Sequence, residues 1–229
     1  MKRRSGSGFS LMELVVSTAV LAFIFGIVFL LFSYGLSGYA QLEARQGVQG
    51  DALKARIQLE RDLSLTHFGS LGVVHRDVGG RERDILCLLG MSDWNDESRF
   101  ENNGLPSWDR YIVFYATDDQ ESGRLMRAVL APEPPTGLDY LRIGPVDLGL
   151  LGQIDQATVP GDLDMVERLQ VVDGIQEFSC EPDEAHQVVS VTLSGRRIGG
   201  RKSSEGVART DEVFQAVFEF DPLNTSPRL

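Results

Sequence analysis

Residues 9–36 read FSLMELVVSTAVLAFIFGIVFLLFSYGL, and this stretch decides the architecture. Between Leu14 and Phe32 the only polar side chains are those of Ser17 and Thr18. Coiled as an α-helix, those 19 positions span roughly 28 Å, the hydrocarbon thickness of a bilayer. Both hydroxyls can bond back to carbonyls one turn earlier, which lowers their cost in lipid. Upstream, residues 1–8 read MKRRSGSG and carry Lys2, Arg3 and Arg4, whereas the first cation after the run is Arg45. That asymmetry predicts a single span with the N-terminus in the cytoplasm and the rest of the chain across the inner membrane. A cleaved secretory signal is the competing reading. Ser37-Gly38 is the nearest approach to its cleavage site, and the apolar run is long for such a segment.

The remainder of the 229 residues is of a different character. Hydrophobic residues make up 42% and charged residues 24% of the chain, enough for a packed core. The mean hydropathy of −0.09 averages one greasy segment with a polar remainder. With 22 Lys and Arg against 33 Asp and Glu, the net charge is −11. So acidic a chain neutralises phosphates poorly, so no nucleic-acid partner is expected. Two cysteines exclude a disulfide-dense scaffold and a four-cysteine zinc site.

Glu13 stands at the edge of the apolar segment, where a carboxylate costs a few kcal/mol unless something pairs with it. Its context is Gly8-Phe9-Ser10-Leu11-Met12-Glu13, behind a short basic leader. This string resembles the prepilin processing motif of type IV pilins and type II secretion pseudopilins: a basic leader ending in Gly, then Phe, then Glu four residues on, then an apolar helix. The resemblance implies that a prepilin peptidase cuts between Gly8 and Phe9 and N-methylates Phe9. The helix then stays in the mature protein, and loss of the three leader cations takes the net charge from −11 to −14. It also implies that Glu13 pairs with the N-terminal amine of a neighbouring subunit, two costly charges cancelling on docking.

Beyond the apolar run, Ala52, Ala55, Leu59 and Leu63 recur at helical spacing, with Leu53 and Ile57 widening the stripe. Lys54, Gln58, Arg61 and Asp62 fall on the opposite face. The pattern predicts that the helix continues outward, half-buried against a globular head, with a bend or loosening between Gly35 and Gly50 and an end at His67–Ser70. The expected organisation is a leader over 1–8, a transmembrane and assembly helix over 9–36, an amphipathic continuation over 37–68 and a β-rich head over 69–229.

After residue 70 the period changes. Segments 85–89, 110–117, 124–130, 165–172, 175–181, 187–195 and 212–220 read as strands. Residues 118–123 read as a hairpin loop, 132–137 and 199–206 as exposed loops, and 92–107 as a long polar insertion. The expected fold is α+β: a long N-terminal helix packed on an antiparallel β-sheet head. The phrases QLERDL (58–63), YIVFYATDDQESGRLMR (111–127) and VVDGIQEFSCEPDEAHQVVSVTLSGR (171–196) are similar, more softly, to PilW-like minor pilins and J-type pseudopilins. Neither cysteine follows position 180, where a major pilin would carry a C-terminal disulfide loop. The resemblance implies a pilin-like architecture and a minor subunit that initiates or caps a filament. Its partners would be the inner membrane, the prepilin peptidase, other minor and major pilins or pseudopilins and, indirectly, a cytoplasmic assembly ATPase. A type IV pilus and a type II secretion system both fit, and a generic anchored binding domain is the third reading.

Little else carries chemistry. Cys87 and Cys180 are a candidate disulfide in an oxidising periplasm, where closing a loop of ~90 residues contributes roughly 4 kcal/mol. Two buried unpaired thiols are the alternative. His67, His75 and His186 have no ligand spacing. Asp93-Trp94-Asn95-Asp96-Glu97 alternates oxygens like a calcium loop, but Ser98 stands where an EF-hand needs Gly. Asp118-Asp119-Gln120-Glu121 reads as a solvated turn, and Trp94 with Trp108 as a small exposed contact patch. The sequence holds no nucleophile elbow, P-loop, dinucleotide fingerprint or kinase signature. It predicts neither an enzyme nor a metal or cofactor site.

Overall fold

The structure is a computed structural model, which describes residues 10–100, 106–119, 123–132, 143, 145–154, 163–199 and 210–222. Helix α1 runs unbroken from Leu11 to Ser64, 54 residues and about 80 Å long. The helix continues through Gly35, Gly38 and Gly50, where an added Cβ would have nothing within 4 Å. The helix ends earlier than its sequence suggests. The Leu65 N–H donates to the Asp62 carbonyl at 3.3 Å and the Thr66 N–H to the Leu63 carbonyl at 3.2 Å, and residues 68–70 form a separate 3₁₀ turn whose Gly69 N–H donates to His67 Nδ1 at 2.9 Å.

The last turns of α1 lie on the sheet. Ala55, Leu59 and Leu63 are at most 1% exposed, the predicted stripe. Burial of each leucine stabilises the fold by about 1.5–3 kcal/mol. Two expectations fail here. Leu53 and Ile57 do not widen the buried stripe; they stay exposed. Asp62, expected on the solvent side, is 3% exposed.

The sheet is an antiparallel meander of β1 (Leu71–Val74), β2 (Ile85–Gly90), β3 (Arg110–Ala116), β4 (Gly123–Pro132), β5 (Leu163–Asp183), β6 (Val188–Gly199) and β7 (Thr210–Phe220), in that spatial order. The α+β expectation therefore holds. Strand β1 and the short helix α2 (Pro145–Leu151) carry no strong periodicity, and the sequence alone does not announce them. They depend on each other: a Cβ at Gly72 of β1 would stand 2.4 Å from Leu148 Cδ2 of α2. A side chain at position 72 would therefore require the Leu148 side chain to shift.

The two strands expected at 165–172 and 175–181 are one. Strand β5 pairs with β4 through its first half and with β6 through its second, and the handover falls at Ile175. Gly174, with φ +76°, makes the kink. Its absent Cβ would meet the Arg196 carbonyl oxygen at 2.4 Å.

Two cores result. One, against α1, gathers Leu86, Leu88, Phe114, Phe178, Val191 and Phe220. The other, on the far face, gathers Ile85, Cys87, Leu89, Tyr115, Trp108 and α2's Leu151. Successive residues of β2 feed alternate cores and all six are buried. That is why ILCLLG is apolar throughout instead of alternating.

Candidate functional site

Gly8 and Phe9 lie outside the described residues. Glu13 is the first site residue described, and it caps its own helix. Ser10 Oγ accepts from the Glu13 N–H at 3.2 Å, and Glu13 Oε2 accepts from the Ser10 N–H at 3.0 Å. This reciprocal capping box satisfies two amides that the helix start would otherwise leave open. Above it, Thr18 Oγ1 donates to the Leu14 and Val15 carbonyls, each at 3.0 Å.

The segment that follows is apolar on every side, and none of it is buried against the described residues of the head. Phe23 is 70% exposed and Phe29 71%. Among the described residues, α1 is the one helix long and apolar enough to cross a membrane. A helix with no polar face is stable only inside a bilayer or a sheath of other helices. The N-terminal part of α1 is thus compatible with a membrane anchor.

At its other end α1 is locked to the head by charge. Arg127 of β4 donates to Asp62 and, through Nη1, to Glu167 Oε2 at 2.9 Å. Burial alone would pull the Arg127 guanidinium down, but the hydrogen bonds and charges of Asp62 and Glu167 hold it above its ordinary value. By spacing alone Asp62 shares the solvated face of Lys54, Gln58 and Arg61, opposite the apolar stripe. Only the distant Arg127 reveals its role.

A second polar cluster was equally hidden. Arg83, fully buried, donates to the carbonyls of Thr117, Ile175 and Gln176. Asp84 accepts from the Cys180 N–H at 2.9 Å, while its own N–H donates to the Phe178 carbonyl at 2.7 Å. These contacts fasten the start of β2 onto the second half of β5, strands that are not sheet neighbours. The sheet therefore curls on itself. Burial lowers the Arg83 pKa, and the nearby Arg81 and Arg76 lower it further. The string RERD before β2 reads as a solvated turn by composition, so no sequence signal marks it.

The cysteines are free and buried. Cys87 belongs to the core on the α2 face and Cys180 to the core under α1. Burial raises both thiols well above their ordinary value, so neither is a reactive thiolate. Trp94 and Trp108 are no exposed patch: Trp108 is 1% exposed and packs edge-on against Trp94 at 5.9 Å. Asp93 and Asp96 spend an oxygen each on the N–H groups of Asn95 and Ser98, within their own turn. Among the described residues no group of three or more His, Cys, Asp or Glu is disposed to hold a metal. The histidines stand apart: His67 caps a turn, His75 faces Asp84 and His186 faces Asp183. No protein-family model, no curated protein and no solved structure matches the chain.

Proposed function

We propose that the chain is a minor pilin or pseudopilin, cut after Gly8, N-methylated on Phe9 and assembled laterally through its apolar helix to initiate or cap a type IV pilus filament. The observation that carries this reading is α1 itself. A plain anchor needs about 20 apolar residues and a loose connection to its cargo. Here a single 54-residue helix passes without a break from the apolar segment into the core of the head. Such a strut holds the head at a fixed distance and orientation from whatever encloses the apolar end.

Glu13 supports the same reading. One carboxylate oxygen is taken by Ser10, which leaves the second for another donor. A new amine at Phe9 of an adjacent subunit is a donor of the right charge. The pairing sets register among contacts that are otherwise greasy and non-directional. In this reading the chain is a single-pass inner-membrane protein with its head in the periplasm. A prepilin peptidase processes it, other pilin-like subunits surround it, and a cytoplasmic ATPase drives assembly from a distance.

The test is the N-terminus of the membrane-extracted protein, by intact mass and terminal peptide analysis. A chain beginning with N-methylated Phe9 is the expected result. A chain beginning at Met1, in cells with an active prepilin peptidase, overturns the proposal and leaves an anchored binding domain. Recovery in sheared pili, as against dependence of protein export on the chain, then separates a pilus subunit from its type II secretion counterpart.

A further inference from the structure

The meander has two ends. Strand β1 is four residues long, whereas β7 is eleven. Proteins blunt exposed sheet edges with short strands, Lys, Pro or bulges. Strand β7, TDEVFQAVFEF, contains no Lys, Arg or Pro, and its pairing with β6 runs from Thr210 to Phe220 without a register shift. Its outward row includes Val213 and Val217, 65% and 62% exposed. It is a long edge without a bulge, and among the described residues no strand lies beside its outer N–H and C=O groups.

The surroundings of that edge are selective. A cavity of about 210 Å³ opens between α1 and the end of β7. Leu63 and Phe220 line it with apolar surface, and Glu60, Glu219 and Asp221 bring three carboxylates. Arg56 is the one cation, and it lies 3.6 Å from Glu60. Glu219 and Asp221 have no ion pair among the described residues. Leu53 and Ile57, both exposed, continue the helical stripe of Glu60 and Ser64 past the cavity.

We propose that β7 is a docking edge: an extended segment of a different protein adds to it as an eighth strand and seats a Lys or Arg in the cavity beside Glu219 and Asp221. Main-chain hydrogen bonds supply the affinity of such an added strand, and side-chain pockets supply its selectivity. A second copy of this chain is a poor occupant. It brings another −11 of charge, so two copies repel one another. The edge and its acidic cavity exist whichever assembly the chain joins.

The experiment uses the full chain in neutral detergent and two fluorescent peptides of β7's own length, alternating Val and Thr. One carries Lys at the two positions nearest the cavity, and the other carries Glu there. Anisotropy should show the Lys peptide binding at least about tenfold more tightly. The Glu219→Gln, Asp221→Asn double variant should erase most of that difference. Val213→Lys with Val217→Lys, both at exposed sites, should weaken the Lys peptide further. Hydrogen exchange should slow along 213–220 when the peptide is bound. Equal binding of both peptides, no binding at about 1 mM, or protection that leaves β7 untouched overturns the proposal. So does a concentration-dependent dimer without peptide, which would make a second copy the occupant.

Discussion

Arg127 of β4 grips Asp62 of α1 through two hydrogen bonds, Nε to Oδ2 at 2.5 Å and Nη2 to Oδ1 at 3.3 Å, with both side chains under 10% exposed. The helix is thereby fixed to the sheet at one buried point as well as along its apolar stripe. Removing one partner leaves the other with a single, more exposed neighbour, Glu167 for Arg127 or Arg61 for Asp62, so Asp62→Asn or Arg127→Gln should each cost about 1.5–3 kcal/mol. The double variant Asp62→Leu, Arg127→Met should recover most of that loss, since packed apolar groups replace buried pairs well. Denaturant unfolding of the detergent-solubilised chain measures both. Single variants within about 0.5 kcal/mol of the parent would show that the pair does not hold the helix.

The helix has a buried side and a bare one over the same turns. Leu59 is fully buried, while Ile57, two residues earlier, is 53% exposed. Leu59→Ala should therefore destabilise the head by about 2–5 kcal/mol, and Ile57→Ala by no more than about 0.5 kcal/mol. The same unfolding experiment reads both. Comparable losses would mean that the helix sits rotated on the sheet.

Gly174 offers a sharper test of the long strand. Its positive φ and the 2.4 Å approach of the Arg196 carbonyl leave no room for a side chain. Gly174→Ala should cost about 1–3 kcal/mol from backbone strain alone, with more from the clash. Gly50→Ala, inside α1 with nothing within 4 Å, should instead stabilise by about 0.5–1 kcal/mol. Opposite signs for two Gly→Ala changes in one chain are read directly by thermal unfolding.

These positions also show what the sequence could tell. The apolar run, the Ala55–Leu59–Leu63 stripe and most strands are periodic signals, and local periodicity survives without knowledge of the partner. The Asp62–Arg127 pair joins residues 65 positions apart, and Arg83 reaches carbonyls as many as 93 positions away. Nothing near Asp62 or Arg83 in the chain distinguishes them from solvated charges. Gly174 was visible as a glycine between two apolar runs. A break and a kink within one strand look the same until the neighbours β4 and β6 are in place. Trp108 misled for the converse reason: a polar insertion around it suggested surface, while the fold turned it into the α2-side core.

The β5–β6 turn should respond to pH. His186 Nδ1 lies 2.7 Å from Asp183 Oδ2, both side chains being exposed. The hydrogen bond to Asp183 and its charge raise the His186 pKa above 6.5. The hydrogen bonds from His186 lower that of Asp183 below 3.8. The histidine's share is complete below its unfolded value and disappears as pH rises through its raised folded one. The carboxylate's share is complete above its unfolded value and disappears as pH falls through its depressed folded one. The turn is therefore tightest between about pH 4 and 6.5. In an NMR titration His186 should titrate above 6.5, and Asp183→Asn should bring it back down. An unmoved midpoint in that variant would mean the contact does not form in solution.

Glu13 has two roles to separate. In the isolated chain its carboxylate completes the capping box with Ser10. In the proposed filament it neutralises a neighbour's terminal amine. Glu13→Ala removes both, and should leave membrane insertion intact while recovery in sheared filaments falls sharply. A lost cap accounts for only about 0.5–2 kcal/mol at the helix start. Glu13→Gln distinguishes the causes, because glutamine serves at this position of a capping box but carries no charge. If charge pairing sets the register, Glu13→Gln should fail as Glu13→Ala does. If glutamine restores incorporation, the cap is what matters, and the pairing of Glu13 with a neighbouring amine has to be abandoned.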